Sequence, residues 1–170
     1  DAGIFSILGR AMTNRSAPLV GVAPGRLVTW PGRAGSSGDA DGSRVPLEPH
    51  HSHFVLVDGQ AWGDETEALL GLSRALARHG PSVAVVCGGG PVTRKEVLGH
   101  VRDRRPVVVL AGSGRFADEL AAAVAGEGQE LHPETSQIVG RGALTVCPID
   151  AGGEALDQAV RTALGRPDRG

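Results

Sequence analysis

The chain has 170 residues, enough for one domain with a sizeable core, and a net charge of -2 with no block of basic residues, which argues against a nucleic-acid surface. No apolar run approaches the roughly eighteen residues that a membrane span needs. Glycine is abundant at 26 residues, tyrosine is absent and aromatic residues make up 3%, so the core must be built from Val, Leu, Ile and Ala.

The chain opens on a helical apolar pattern, Ile4, Phe5, Ile7, Leu8, Ala11 and Met12, which Asp1 is placed to cap. Because an α/β unit starts on a strand, we expect a strand and a glycine turn upstream of Asp1. Residues 18–23 (PLVGVA) read as a short buried strand. Residues 31–50 are rich in Gly, Ser, Asp and Pro without a period, and read as a long loop that serves either as a lid or as a surface insertion. His53–Val57 is the next strand. A helix follows from about Asp64, with Asp64 and Glu67 spaced as a capping box, Leu69, Leu72 and Leu76 as its buried stripe, and Gly80 as a left-handed stop.

Residues 82–87 and 106–111 are nearly unbroken apolar runs, the pattern of parallel strands covered on both faces. Helical patterns follow each, Val97, Leu98 and Val101 after the first and Phe116, Ala117, Leu120 and Val124 after the second. Residues 126–142 read as a polar loop, and 144–149 as a last strand. Asp150 is placed to cap a final helix with the stripe Leu156, Val160 and Leu164, and residues 166–170 form a frayed tail. The fold class is therefore α/β: a single Rossmann-like three-layer sandwich over residues 1–165, with an open, mostly parallel sheet and helices on both faces.

Function should lie where the strands end. Gly88, Gly89 and Gly90 follow one strand, and Gly112, Ser113, Gly114 and Arg115 follow another. Strand, glycine turn and helix in succession make an anion-binding rim, because amides without side chains can approach a phosphate closely. Thr93 and Glu96 carry capping-box spacing. Arg115 sits where the helix dipole disfavours a cation, so it either clamps an anionic ligand or pairs with Asp118 or Glu119. Neither a P-loop nor a dinucleotide fingerprint is present. His50, His51 and His53 show no zinc-site spacing, and no metal is expected. Trp30 and Trp62 either stack on a base or pack at a rim. Cys87 and Cys147 fit buried free thiols in a reducing, cytoplasmic setting, and no secretory signal is visible. No nucleophile elbow or convincing catalytic set appears, and Glu96 is the one carboxylate with catalytic potential beside the rim.

Asp1-Ala2-Gly3-Ile4-Phe5, Gly21-Val22-Ala23-Pro24, His53-Phe54-Val55-Leu56-Val57-Asp58-Gly59, Gly88-Gly89-Gly90-Pro91 and Gly112-Ser113-Gly114-Arg115-Phe116-Ala117-Asp118 occur in an order that resembles the SLOG superfamily. The resemblance is to the prokaryotic relatives of the cytosolic N-terminal region of melastatin-type TRP channels (LSDAT-like), over residues 1 to about 150. It implies a sensor for a nucleotide or NAD-derived ligand, such as ADP-ribose or cyclic ADP-ribose, joined to a fused or separate effector, without a cofactor. It places Gly89, Gly90, Gly112, Ser113, Gly114 and Arg115 along the pocket, with Asp1 and Gly3 closing it. Gly88 and Thr93 belong to the same candidate rim. Where such relatives carry Trp-Gly after the proline, this chain has Gly25-Arg26, and Arg26 is a candidate ligand charge. A homo-oligomer is expected, since domains of this class often dimerise through exposed helices.

A more distant resemblance is to the lysine-decarboxylase-like phosphoribohydrolases, with P-G-G-x-G-T-x-x-E. It implies a nucleoside-monophosphate N-glycosidase using Glu96. Here Val92 replaces the glycine before Thr93, Cys87-Gly88 replaces the proline, and a β-branched residue resists positive φ. A structural or protein-interaction domain is the third reading.

Overall fold

The computed structural model describes residues 3–13, 16–32, 44–127 and 130–166. Asp1, residues 33–43 of the long loop and the end of the tail lie outside them. The fold is mixed α/β with parallel sheets, and the chain divides into two compact units, Asp1–Leu69 and Leu70–Gly170.

In the first unit, helix α1 (Gly3–Met12) precedes strand β1 (Val20–Pro24), which pairs in parallel with β4 (His53–Val57) in a register running from Val20↔His53 to Pro24↔Val57. Between them, the two-residue strands β2 (Val28–Thr29) and β3 (Val45–Pro46) pair in parallel. β3 lies inside the stretch read as a loop, because two residues carry no periodicity. Gly21 leaves room for the Phe54 ring, which stacks on His51 at 5.4 Å between centroids. Gly9 of α1 is similarly close to Glu48 and His50, where any side chain would collide with both.

Helix α2 (Thr66–Ala77) begins two residues later than expected. Asp64 does not cap it: its carboxylate accepts from the amides of Gln60 and Ala61 at 2.8 and 3.0 Å and holds the preceding turn. These two bonds, against a smaller effect of partial burial, lower the Asp64 pKa. The buried residue of the helix is Leu70, packed on Gly99, whereas Leu76 is exposed. Gly80 has no positive φ, and the Arg78 and His79 amides end the helix on the Ala75 and Leu76 carbonyls.

The second unit is a three-layer sandwich. Strands β5 (Ala84–Val86), β6 (Val107–Ala111) and β7 (Leu144–Pro148) form a parallel sheet in that order. Strand residues alternate between faces. Val107 and Val109 enter one core with helices α3 (Pro91–Arg102), α4 (Arg115–Val124) and α5 (Pro133–Arg141), whereas Val108 and Leu110 enter the other with α6 (Gly152–Ala163). Two successive crossovers that advance in one direction must lie on one face if they share a hand, so α3, α4 and α5 fall together.

α5 occupies much of the segment read as a polar loop, with Ile138 and Thr135 fully buried. Asp150 does not cap α6. It lies in a short 3-10 turn, Ile149–Ala151, and the helix begins at Gly152 without a side-chain cap. Cys147 is buried and Cys87 half-buried, and both are free thiols. Among the described residues no helix is long and apolar enough to cross a membrane.

Candidate functional site

β5 and β6 are parallel neighbours, so the turns that follow them leave the same sheet edge side by side. Gly88 and Gly89 adopt φ of 61° and 90°, successive left-handed residues that glycine accommodates without strain. Gly89 also lies under Thr93: a Cβ there would stand 2.7 Å from the threonine Cβ. The Gly88 amide donates to Ser113 Oγ at 2.9 Å, and that hydroxyl donates to the Leu110 carbonyl at 2.6 Å. Ser113 therefore ties the turns together and does not cap α4, whose N-cap is Gly114.

The bonds between the turns decide which amides a ligand can use. The Ala117 amide donates to the Gly88 carbonyl at 2.9 Å, and the Phe116 amide to the Gly89 carbonyl at 3.4 Å. The Gly112 amide donates to Asp118 Oδ1 at 2.7 Å. The amino end of α4, expected from sequence to share in anion binding, has thus spent donors within the fold. On the α3 side the amides of Gly89, Gly90, Val92 and Thr93 have no acceptor among the described residues. The anion-facing donors belong to α3.

α3 starts at Pro91, whose fixed φ suits the first helical position, so Gly90 is the N-cap and Thr93 lies in the first turn. The expected capping box does not form around Thr93. Glu96 lies on the same helix, half-buried.

Arg115 is exposed and opens α4 at φ 56°, an unfavourable backbone state for a residue with a side chain. Its Nη2 lies 3.7 Å from the point where Gly90 would carry a Cβ. The carboxylates read as alternative partners are engaged elsewhere. Asp118 holds the Gly112 amide, while Glu119 takes Arg94 Nη2 at 2.8 Å and Thr135 Oγ1 at 3.0 Å. Arg115 has no ion pair or hydrogen-bonded side-chain partner among the described residues.

The network Arg94–Glu119–Thr135 was not legible in the sequence. Arg94 stacks its guanidinium over Phe116, 5.2 Å from the ring centroid, and joins α3, α4 and α5 behind the turns. The signal that could have located Thr135 was Pro133-Glu134 after His132, a helix-start pattern.

Gly3 opens α1 in the first unit, and Asp1 lies outside the described residues. Arg26 pairs its Nε with Asp58 Oδ1 at 3.0 Å, and both side chains are exposed. Trp62 is exposed. Glu48 accepts from His50 Nδ1 at 2.6 Å, His51 Nδ1 at 2.8 Å and the His50 amide at 3.0 Å. Partial burial works to raise the Glu48 pKa, but these hydrogen bonds outweigh it and bring the carboxyl from 4.5 down to about 2. The described residues contain no cluster of three or more potential metal ligands.

The family model described as SLOG in TRPM, prokaryote (LSDAT_prok) matches residues 1–156. Mouse transient receptor potential cation channel subfamily M member 2 is 31% identical over 96 residues, covering 49% of this chain and 6% of the channel. Human subfamily M member 6 is 38% identical over 87 residues, covering 44% of this chain and 4% of the channel. A Caenorhabditis elegans transient receptor potential channel is 36% identical over 95 residues, covering 45% of this chain and 4% of its own length. The chain therefore spans a small fraction of the length of these relatives.

Proposed function

This chain belongs to the prokaryotic SLOG-in-TRPM family, and from that premise we propose that its paired glycine turns bind a nucleotide or NAD-derived ligand of the ADP-ribose type as a sensor. The observation that carries the reading is Arg115, an exposed cation beside the bare amides of Gly89 and Gly90. A cation in the first turn of a helix opposes the dipole by about 0.3–1 kcal/mol. A left-handed, non-glycine backbone adds roughly 1–2 kcal/mol. No carboxylate among the described residues offsets either cost, and a phosphate shared with the α3 amides does.

In this reading the phosphates lie at the amino end of α3, with amide donors from Gly89, Gly90, Val92 and Thr93 and a two-pronged contact from Arg115. Gly88, Gly112, Ser113 and Gly114 hold the two turns in register. The likeness to channel proteins extends the proposal to an effector, fused or separate, that reads occupancy.

Calorimetry of the intact protein against ADP-ribose, cyclic ADP-ribose, NAD and AMP tests this. Saturable heat with at least one ligand is expected. Arg115→Ala should weaken it roughly 10- to 100-fold, the worth of one charged hydrogen-bonded contact. Absence of heat with all four would leave the structural or interaction reading. Free adenine released from AMP, and stopped by Glu96→Gln, would replace the sensor with the N-glycosidase.

A further inference from the structure

The opposite edge of the same sheet carries a second basic feature. Ser82 lies two residues before β5 and Arg105 two residues before β6, and the Ala84 amide donates to the Pro106 carbonyl at 2.9 Å, which brings the starts of the two strands together. A cleft of about 290 Å³ opens there, with Ser82, Asp103, Arg104 and Arg105 on its wall.

Arg105 is 6% exposed. Its Nε donates to Ser82 Oγ at 2.9 Å and its Nη1 meets His100 Nδ1. Both are neutral acceptors, and among the described residues no carboxylate pairs with this guanidinium. Nη2 has no protein acceptor among them. The acid on the cleft wall, Asp103, is held by Arg74 Nε at 2.8 Å. Arg104 adds a second, exposed guanidinium without a side-chain partner among the described residues. Buried cations are ordinarily paired, because their desolvation is otherwise uncompensated.

We propose that this cleft binds a small phosphate-bearing anion, with Arg105 as its buried clamp and Arg104 as its outer charge. Two guanidinium groups with no carboxylate partner among the described residues match the charge of a phosphate group, and their planar forks suit its oxygens. The site is separate from the glycine turns and does not depend on what they bind.

His100 makes the cleft readable. With Nδ1 accepting from Arg105, the ring must be neutral. Burial and the Arg105 charge, with a smaller push from Arg74 and an opposing pull from Asp103, bring its pKa from 6.5 to about 4. A phosphate anion beside Arg105 offsets the guanidinium charge, so the His100 pKa rises on binding.

The experiment is a titration of the intact, histidine-labelled protein with inorganic phosphate, followed by NMR at His100. A saturable shift is expected, with the His100 pKa rising by about one unit. Arg104→Gln should weaken phosphate about threefold, as for an exposed charge. Arg105→Lys, which keeps the charge but not the fork, should weaken it about tenfold. If Arg105→Lys does not fold, the wild-type titration and Arg104→Gln decide the matter. No shift at about 10 mM phosphate, tenfold above a millimolar Kd, overturns the proposal. So does an identical response to chloride at matched ionic strength, or a response unaltered in Arg104→Gln.

Discussion

Two residues with side chains adopt positive φ among those described, Arg104 at 58° and Arg115 at 56°. Arg104 has a local cause. It follows α3, and the Arg104 and Arg105 amides close the helix end on the Val101 and His100 carbonyls. Arg115 begins a helix, where no such closure needs the left-handed state. Arg115→Gly should therefore stabilise the protein by about 1 kcal/mol in urea unfolding while weakening nucleotide binding as Arg115→Ala does. A loss of stability would mean that the side chain supports the fold. Gly89→Ala is the reverse case. It combines φ of 90° with a Cβ at 2.7 Å from that of Thr93, and it should cost about 2–3 kcal/mol by the same measurement. At this scale the sequence singled out two glycine turns and Arg115, and the structure brings them side by side, because residue type and place in the helix dipole can be read directly. It could not tell that Ser113 is a tie rather than a cap, since that depends on which amide from a neighbouring strand arrives opposite it.

Elements were legible in proportion to how much apolar pattern they carry. β4 coincides with the expected strand, and β6 and β7 differ only at their ends, because each is written as a nearly unbroken apolar run, although only β6 is buried along most of its length. α5 has one fully buried aliphatic residue, Ile138, and a buried Thr135 that reads as polar, so its inner face left almost no trace in hydropathy. The helix nevertheless packs against both α3 and α4. Ile138→Ala should cost about 3 kcal/mol, as for other buried aliphatic truncations. Leu76→Ala, at 60% exposure, should stay within about 0.5 kcal/mol although the sequence pattern assigned it to the core. Equal effects of the two substitutions would mean that α5 is not part of the packed core. The displaced caps at Asp64, Thr93 and Asp150 share one cause. Each has a capping residue's chemistry, but turn geometry or a neighbouring proline set the helix start elsewhere.

Across the whole molecule, the two units carry acid-sensitive groups with different windows. In the second unit, an unfolded histidine takes its proton near pH 6.5, whereas folded His100 resists until about 4. Its contribution is complete above 6.5 and disappears as pH falls through 4. In the first unit, an unfolded glutamate ionises at 4.5 and folded Glu48 at about 2, so that contribution is complete above 4.5 and disappears as pH falls through 2. The two tryptophans, Trp30 and Trp62, both lie in the first unit, whereas four whole helices, α3 to α6, lie in the second. Urea midpoints followed by far-UV circular dichroism should therefore fall between pH 6.5 and 4, while tryptophan-detected midpoints hold until the pH drops below 4.5. His100→Gln should flatten the first dependence and Glu48→Gln the second. Midpoints that coincide for both probes at every pH would mean that the units unfold as one, with both windows then appearing in each signal.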